Sequence, residues 1–186
     1  MSRSPKNGAP TAERLREAAM AEFNAHGYTG TDSNRIARRA GFAPQTFYRW
    51  YKDKAAIFIA CYRAWEDEER SALQALTEAG ASAEAFVQAG VDQHRRYLKF
   101  RRSLRMLSLE NAEVRAARAE SRKRQIAQIR AWGGLAGSDE ALAVALLQLE
   151  RLTDALAEGE LADMGMEETA ARAELAALVT RLREGR

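Results

Sequence analysis

The sequence is poor in the residues that cross-link small proteins and bind metals. It has a single cysteine, Cys61, so neither an intrachain disulfide nor a thiolate metal cluster can form within the chain. Only two histidines, His26 and His94, are present, and without paired cysteines they make no recognisable zinc motif. We therefore expect neither a bound metal nor any other cofactor.

Long apolar runs are missing too. No stretch of about 18 consecutive apolar residues occurs, which is the length that a membrane-spanning helix needs. The opening residues MSRSPKNGAP are polar and lack the apolar segment of a secretory signal peptide. The sequence thus predicts a cytoplasmic protein with no membrane partner.

Motifs that mark common catalytic sites are absent. There is no Gly-x-Ser-x-Gly nucleophile turn, no phosphate-binding glycine loop and no His-Glu-x-x-His pair. Carboxylates are numerous, but Arg or Lys stands near them in the sequence, as is usual for solubilising surface charges. We do not expect an enzyme.

Proline is confined to the N-terminal part of the chain, at Pro5, Pro10 and Pro44. The remaining sequence is rich in Ala, Leu, Glu and Arg, which favour helices. No run alternates polar and apolar residues as a strand does. The sequence predicts an all-α fold, with Thr11 as the N-cap of the first helix. About nine helices are expected, near residues 11–26, 32–40, 44–50, 52–78, 82–100, 101–112, 114–132, 138–158 and 167–183.

Charge is distributed unevenly, although the net charge is only +3. Residues 1–54 hold ten Lys and Arg against five Asp and Glu, whereas the rest of the chain is slightly acidic. A basic N-terminal third favours a local polyanionic partner, with an ordinary solvated surface as the alternative.

Four aromatic residues crowd into five positions of this basic region, in the stretch GFAPQTFYRWYKDK from Gly41 to Lys54. At about 100° per residue, a helix here places Phe47 and Tyr51 on one face, which we expect to be buried. The other face is made of side-chain types that hydrogen-bond base edges and phosphates. It consists of Gln45, Thr46, Tyr48 and Arg49, with Trp50 at its border.

Another short helix precedes this one. The segment TDSNRIARRAGF is typical of a helix that ends at Gly41 in the left-handed conformation. Ala37 and Ala40 are small enough to allow a close crossing with the next helix. Two short helices joined by a glycine turn form a helix-turn-helix motif, which we place at about residues 34–53.

The segment FNAHGYTGTDSNRIARRAGFAPQTFYRWYKDKAAIF resembles the N-terminal DNA-binding domain of the tetracycline-repressor (TetR) family of transcriptional regulators. The resemblance covers about residues 11–65. It departs from the family at Ala43, where Ser is usual, at Gln45, where a small residue is common, and at Ser33, where an apolar residue is usual. The matching positions are Phe23, Gly27, Tyr28, Thr31, Ile36, Ala37, Ala40, Gly41, Thr46, Tyr48 and Lys54.

The resemblance implies two domains, a DNA-binding domain over 11–71 and a helical domain over 72–186 that binds an effector and dimerises. The implied partners are double-stranded DNA with an inverted-repeat operator, a second copy of the chain and an unidentified small molecule. Phosphate contacts are implied for Thr31, Thr46, Tyr48, Trp50 and Lys54, and base contacts for Gln45, Thr46 and Tyr48. The exposed face of the second short helix adds Arg49 to the predicted DNA-binding residues.

Leucine stripes run along the last two long helices at helical spacing. Family members pair these helices with their copies, so the resemblance implies a dimer interface, while two amphipathic helices of a monomer are the alternative. The interface predicted in this way consists of Leu142, Leu146, Leu149, Leu156, Leu175, Leu178 and Leu182. For the effector pocket we predict Gln93, Tyr97 and Met106.

The predicted function is that of a dimeric transcriptional regulator, a repressor that a small molecule releases from DNA. One alternative is an architectural or cell-division factor of the same fold that binds DNA without an effector, which an internal cavity would disfavour. A helical enzyme with a chance helix-turn-helix segment is the third candidate, and specific DNA binding would exclude it.

Overall fold

The computed structural model describes residues 10–131 and 138–184, and every regular element in these ranges is an α-helix. The all-α prediction is therefore confirmed. Ten helices are present in the described part of the chain rather than about nine, because a single extra turn, α9, follows Gly159. They are α1 Thr11–His26, α2 Ser33–Arg39, α3 Pro44–Trp50, α4 Lys54–Glu78, α5 Ala83–Arg96, α6 Leu98–Glu110, α7 Ala112–Ala131, α8 Asp139–Glu158, α9 Glu160–Asp163 and α10 Thr169–Glu184.

Local sequence signals explain most of the helix starts. The side chains of Asp32, Asp53, Ser82 and Ser138 each accept a hydrogen bond from the backbone N–H three residues later. The prediction for Thr11 is wrong, because Pro10 occupies the N-cap position and Thr11 is already helical. Proline lacks the N–H that the first turn leaves unpaired, so it can start the helix without a side-chain cap.

The turn between α2 and α3 has the predicted form. Ala43 is the N-cap of α3 without a side-chain hydrogen bond, and Pro44 is the first helical residue. Gly41 has a φ of +77°, a conformation that residues with a Cβ rarely adopt. A Cβ at this position would also lie 3.3 Å from the Arg14 guanidinium, which would have to shift slightly to make room.

The N-terminal helices share one core with α4, α6 and α7. The ring of Phe58 in α4 lies 5.0 Å from the ring of Phe23 in α1 and 4.8 Å from that of Phe100 in α6. Leu104 and Val114 complete this cluster from α6 and α7. The predicted domain boundary at residue 71 falls inside α4, so the two predicted domains are joined by a continuous helix and a continuous core.

The C-terminal helices bury their leucines within the same chain. Leu142 and Leu182 lie in one apolar cluster with Ile129 of α7, and Leu156 and Leu175 lie in another with Val91 of α5. The apolar stripes thus pack on α5 and α7 of their own subunit, which leaves these leucines little surface for a partner, and the dimer interface stays a prediction. The leucines so placed are Leu142, Leu146, Leu149, Leu156, Leu175, Leu178 and Leu182, of which only Leu149 is partly exposed.

No helix in the described ranges is both long enough and apolar enough to cross a membrane. These same ranges contain no group of three or more His, Cys, Asp or Glu side chains arranged to hold a metal ion.

Candidate functional site

Helix α3 presents its polar face outward because its apolar face is firmly held. Phe47 is completely buried, and the hydroxyl of Tyr51 donates to the carbonyl of Ala12 in α1 at 3.1 Å. Tyr48 and Trp50 are instead 61% and 53% exposed. The predicted division of the four aromatics between core and surface is confirmed. Gln45 and Arg49 are exposed beside them, and Thr46 is half-buried.

The position of the Tyr48 side chain is set by two neighbours. Its ring meets the ring of Phe47 edge to face, with the centroids 5.2 Å apart. Its hydroxyl lies 2.8 Å from the Oγ of Ser33, at the start of α2. Ser33 stands where the resemblance expects an apolar residue, and that departure was the only signal in the sequence for this contact. The hydroxyl pair fixes an exposed aromatic side chain that would otherwise rotate freely.

The arginines of α2 divide into two groups. Arg35 and Arg39 donate to the carboxylate of Glu22 in α1, at 3.0 and 3.1 Å. Burial opposes ionisation of Glu22, but the hydrogen bonds from Arg39 and Arg35 outweigh it, so the pKa of Glu22 lies below its usual value. Arg38 and Arg49 are exposed and form no ion pair within the described residues. On α2 and α3, the positive charges that are not already paired and could attract a polyanion are therefore mainly those of Arg38 and Arg49.

Two predicted DNA-binding residues do not face the solvent. Thr31 is buried and its hydroxyl donates to the carbonyl of Gly27 at 2.9 Å. The Lys54 ammonium donates to the carbonyls of Tyr28 and Thr31, both at 2.9 Å, and lies 4.0 Å from the centroid of the Tyr28 ring. Burial lowers the pKa of Lys54. The Thr31 side chain thus braces the turn at 27–31 from within, and the half-buried Lys54 ties that turn to the start of α4.

A cavity of about 150 Å³ lies between α4, α5, α6, α7, α8 and α10. Its wall is mostly apolar and aromatic, with contributions from Trp65, Phe86 and Leu149. Val87, Gly90 and His94 reach it from one face of α5, since they stand three and four residues apart.

The residues predicted for the effector pocket, Gln93, Tyr97 and Met106, do not line this cavity, and their role stays a prediction. Gln93 immediately precedes the cavity residue His94 in the sequence, but it lines an open groove on the outer side of α4. The hydroxyl of Tyr97 donates to Glu68 at 3.1 Å, and Met106 is exposed on α6. The physical reason is a break in the helix. The sequence predicts one continuous helix over 82–100, but the chain breaks at Tyr97 between α5 and α6, and this break changes the faces that both helices turn inward.

A buried charge cluster borders the cavity. Arg101 donates to the carboxylate of Asp154 through Nε and Nη2, at 3.2 and 2.9 Å, and its guanidinium lies 4.7 Å from the centroid of the Trp65 ring. His94 lies between two carboxylates, with Nδ1 2.9 Å from Asp154 and Nε2 3.5 Å from Glu69. Burial opposes the charge of Asp154, but the hydrogen bond from His94 and the Arg101 guanidinium hold its pKa well below the usual range.

Besides Nδ1 of His94, which lies 2.9 Å from Asp154, two buried polar atoms of residues around the cavity have no hydrogen-bond partner among the described residues. They are the indole Nε1 of Trp65, a residue that is almost completely buried, and the side-chain Oε1 of Gln125. Buried polar atoms are nearly always paired, because leaving one unpaired costs about 1–3 kcal/mol. Neither atom is accessible to solvent, so both lie behind the wall of the cavity and not at its surface.

Helices α4 and α6 both connect this cavity to the N-terminal helices. Arg101 borders the cavity, and two residues later Ser103 accepts a hydrogen bond from the backbone N–H of Tyr28 at 3.0 Å. Lys99, also in α6, donates to the carbonyl of Ala25 at 2.7 Å. The turn at 27–31 is therefore held from α4 by Lys54 and from α6 by Ser103.

Residues 15–61 match the family model described as bacterial regulatory proteins, tetR family. No curated protein gives a significant match to the chain.

Solved structures share the fold over nearly the whole chain. The fatty acid degradation regulator FadR from Bacillus halodurans is 17% identical, with a TM-score of 0.64 over 94% of this chain and 96% of that one. A transcriptional regulator from Rhodococcus sp. Rha1 is 16% identical, with a TM-score of 0.69 over 95% and 97% of the two chains. A bacterial regulatory protein in the tetR family from Rhodococcus RHA1 is 23% identical, with a TM-score of 0.53 over 95% and 98%.

Proposed function

We propose that this chain, whose N-terminal helices are those of the tetR family of bacterial regulatory proteins, is a sequence-specific DNA-binding regulator that represses transcription until a small molecule releases it. The observation that carries the proposal is the outward face of α3. Gln45, Tyr48, Arg49 and Trp50 project from a helix whose opposite face is locked into the core. Such side chains on the second helix of a helix-turn-helix enter the major groove and contact bases and phosphates.

The set of DNA contacts that we propose is smaller than the one predicted from the sequence. Gln45 pairs with a base, since its amide can bond adenine through two atoms at once. Tyr48, Arg49 and Trp50 contact phosphates or base edges, and Thr46 supports them at the rim. Thr31 and Lys54 contribute by holding the turn at 27–31 and not by direct contact.

The active species that we propose is a twofold dimer on an inverted-repeat operator. One recognition helix reads too few base pairs to find a unique site, and two of them fit successive major grooves about 34–36 Å apart. The interface that we propose is the outward face of α8 and α10. Val144 and Leu147 are 57% and 46% exposed on α8, and the small residues Ala170, Ala173 and Ala177 are exposed on α10.

The presence of the cavity supports a repressor controlled by an effector more than it supports a purely architectural DNA-binding protein. An architectural protein has no use for a mostly apolar cavity of about 150 Å³, since filling the space would stabilise it. Trp65 and Glu69 line this cavity on α4, the helix that begins at Lys54 beneath the helix-turn-helix.

The test is selection of bound sequences from a random duplex pool, with the wild-type chain and the Gln45→Ala variant side by side. We expect an inverted repeat for the wild type and a relaxed preference at one position of each half-site for the variant, worth roughly 1–3 kcal/mol. A selection that enriches no sequence contradicts the proposed function. A uniform loss of affinity over all sequences in the variant assigns Gln45 to the DNA backbone instead.

A further inference from the structure

We propose that Glu22 is a specificity-determining residue, which holds Arg35 and Arg39 against α1 and so keeps them from binding the phosphates of DNA that lacks the operator sequence. This inference rests on the proposed function, in which α3 reads the operator. It gives a role to a carboxylate that is itself buried and cannot reach DNA.

The carboxylate of Glu22 is divided between the two arginines. Its Oε2 accepts a hydrogen bond from Nε of Arg35 at 3.0 Å, and its Oε1 accepts one from Nη1 of Arg39 at 3.1 Å. Nε2 of His26 lies 3.8 Å from Oε2. Burial opposes the charge, but the hydrogen bonds from both arginines lower the pKa of Glu22, so the carboxylate is ionised at neutral pH.

Neither arginine can leave Glu22 without a cost. Their side chains are 40% and 50% exposed, so both guanidinium groups reach the surface although their partner does not. If one of them moved to a phosphate, an ionised carboxylate would stay buried with fewer partners, which is strongly destabilising. Arg38, which is exposed on the same helix and has no carboxylate to leave among the described residues, has no such cost.

The two arginines lie on the side of α2 that faces α1 and not α3. Ser33 contacts Tyr48 of α3, and Arg35 follows Ser33 by two residues, which is about 200° around the helix. When α3 is fixed in the major groove, base contacts set the orientation of the whole unit. A complex with DNA of any other sequence has no fixed register, so the protein can tilt until a free cation meets a phosphate. Releasing these arginines should therefore favour non-specific DNA over the operator.

The size of the effect follows from the charges. Each phosphate contact made by Lys or Arg releases condensed counterions, so the logarithm of the binding constant falls by about 0.9 per contact with the logarithm of the salt concentration. Arg35 and Arg39 contribute two positive charges and Glu22 one negative charge, which leaves a net charge of +1. Glu22 thus lowers the attraction for any DNA by about one phosphate contact.

Glu22→Gln tests this role with little change of shape. The amide keeps one acceptor oxygen, but its NH2 group cannot accept from a guanidinium, so one arginine should be released. We measure binding of the full chain to a random-sequence duplex by fluorescence anisotropy between about 50 and 200 mM salt. Affinity at the lowest salt should rise roughly 3- to 10-fold, and the salt slope should steepen by about one. Affinity for the operator should change less, so the ratio of operator to random affinity should fall.

A purely structural role for Glu22 gives the opposite result. Loss of packing between α1 and α2 would lower affinity for both duplexes, so an unchanged or weaker affinity for the random duplex in a folded variant overturns the proposal. Glu17→Gln is the matched control, since it removes one negative charge from the exposed side of the same helix. It should leave the salt slope unchanged, because the buried carboxylate and both of its arginines are kept. Equal steepening in both variants would show that only the net charge matters and would contradict the assignment.

The arginines provide a second test that keeps Glu22 in place and holds even where Glu22→Gln fails to fold. Arg39→Gln should change affinity for the random duplex by less than about 2-fold, whereas Arg49→Gln, on the exposed face of α3, should lower the salt slope by about one. Equal losses in these two variants overturn the proposal. In the Glu22→Gln background, Arg39→Gln should abolish the gain, because the remaining oxygen can then bind Arg35.

The random-duplex titrations need no operator, so the two proposals fail in different ways. If the selection enriches no sequence, the proposed function is wrong and the specificity role falls with it, whatever the salt slopes. If an operator is found but Glu22→Gln and the wild type have the same salt slope, the regulator stands and the role of Glu22 is wrong.

Discussion

The hydroxyl of Tyr48 lies against Ser33 and not free in solvent, and in the proposed function this single contact affects how α3 binds DNA. An exposed tyrosine loses rotamer freedom when it binds, and that loss opposes binding. Ser33 restricts the side chain before DNA arrives, so part of this entropy is already lost in the free protein. The residue that departs from the family pattern in α2 therefore acts on a neighbour in α3.

Ser33→Ala should weaken operator binding by about 0.5–1.5 kcal/mol, the typical net value of one hydrogen bond. Titration of a labelled operator followed by fluorescence anisotropy measures the change. In a Tyr48→Phe background the same substitution should have no further effect, because the hydroxyl that Ser33 bonds is gone. The matched control is Ser71→Ala, which removes a hydroxyl from the exposed side of α4. Additive losses for Ser33 and Tyr48 would contradict the contact.

The start of α4 is fixed by hydrogen bonds to the turn at 27–31 and by its own N-cap residue. Lys54 bonds two carbonyls of the turn at 27–31 while Asp53 caps the helix by accepting from the N–H of Ala56. A lysine held in this way stabilises the fold through hydrogen bonds to its charge, which are stronger than neutral ones.

Lys54→Met should destabilise the chain by about 1–3 kcal/mol, because two partly buried carbonyls lose their donor while the apolar stem is kept. Denaturant unfolding measures this loss. Lys52→Met is the control, since Lys52 is exposed and its ion pair with Glu113 lies on the surface. If Lys54→Met left stability unchanged but abolished operator binding, the side chain would be a direct DNA contact after all.

The outward face of α8 should determine assembly. Leu147→Arg should raise the dissociation constant of the dimer by about 10-fold or more, because it places an unpaired charge in an apolar interface. Sedimentation velocity over a range of concentrations reports the change. Leu109→Arg is the matched control, since Leu109 is a still more exposed leucine, at 80%, on α6. An intact dimer in Leu147→Arg would place the interface elsewhere.

The sequence predicts where the helices lie better than it predicts which neighbours their apolar faces contact. The angular positions in α3 were enough to bury Phe47 and expose Tyr48, since a short helix leaves few alternatives. Periodicity also located the apolar stripe of α8, but an apolar stripe packs equally well on its own subunit or on a partner. That is why Leu142 was assigned to the dimer interface although it lies in the core.

The cavity could not be predicted from the sequence, for a different reason. Trp65, His94 and Gln125 come from three helices that are distant in the sequence, and no local pattern states that they meet. The orientations of Thr31 and Lys54 likewise depend on the path of the turn at 27–31. The family resemblance implied phosphate contacts for both residues, whereas in this chain their side chains donate to backbone carbonyls.

For the whole molecule, the main consequence of the shared core is that the N-terminal helices α1–α3 depend for their packing on the C-terminal helices. Phe100 of α6 packs on Phe58 of α4 and is completely buried, although it lies well beyond the predicted boundary of the DNA-binding domain. The helix-turn-helix is therefore not an independent module attached by a linker.

Phe100→Ala should lower the free energy of unfolding by about 3–5 kcal/mol, the usual cost of removing a buried aromatic side chain. The loss should reach the DNA-binding helices, so amide hydrogen exchange in α1 should accelerate together with that in α6. Protection of α1 at the wild-type level in this variant would show that the helix-turn-helix folds by itself.

The presence of Trp65, Glu69 and Leu73 on the same helix as Lys54 has a thermodynamic consequence. If a molecule in the cavity weakens operator affinity by some factor, the operator must weaken the affinity for that molecule by the same factor, because the two equilibria form a closed cycle. Regulator bound to DNA is then a poorer receptor than regulator free in solution. The same compound would have two dissociation constants in one cell, and titrating it in the presence and absence of operator would yield the coupling factor directly.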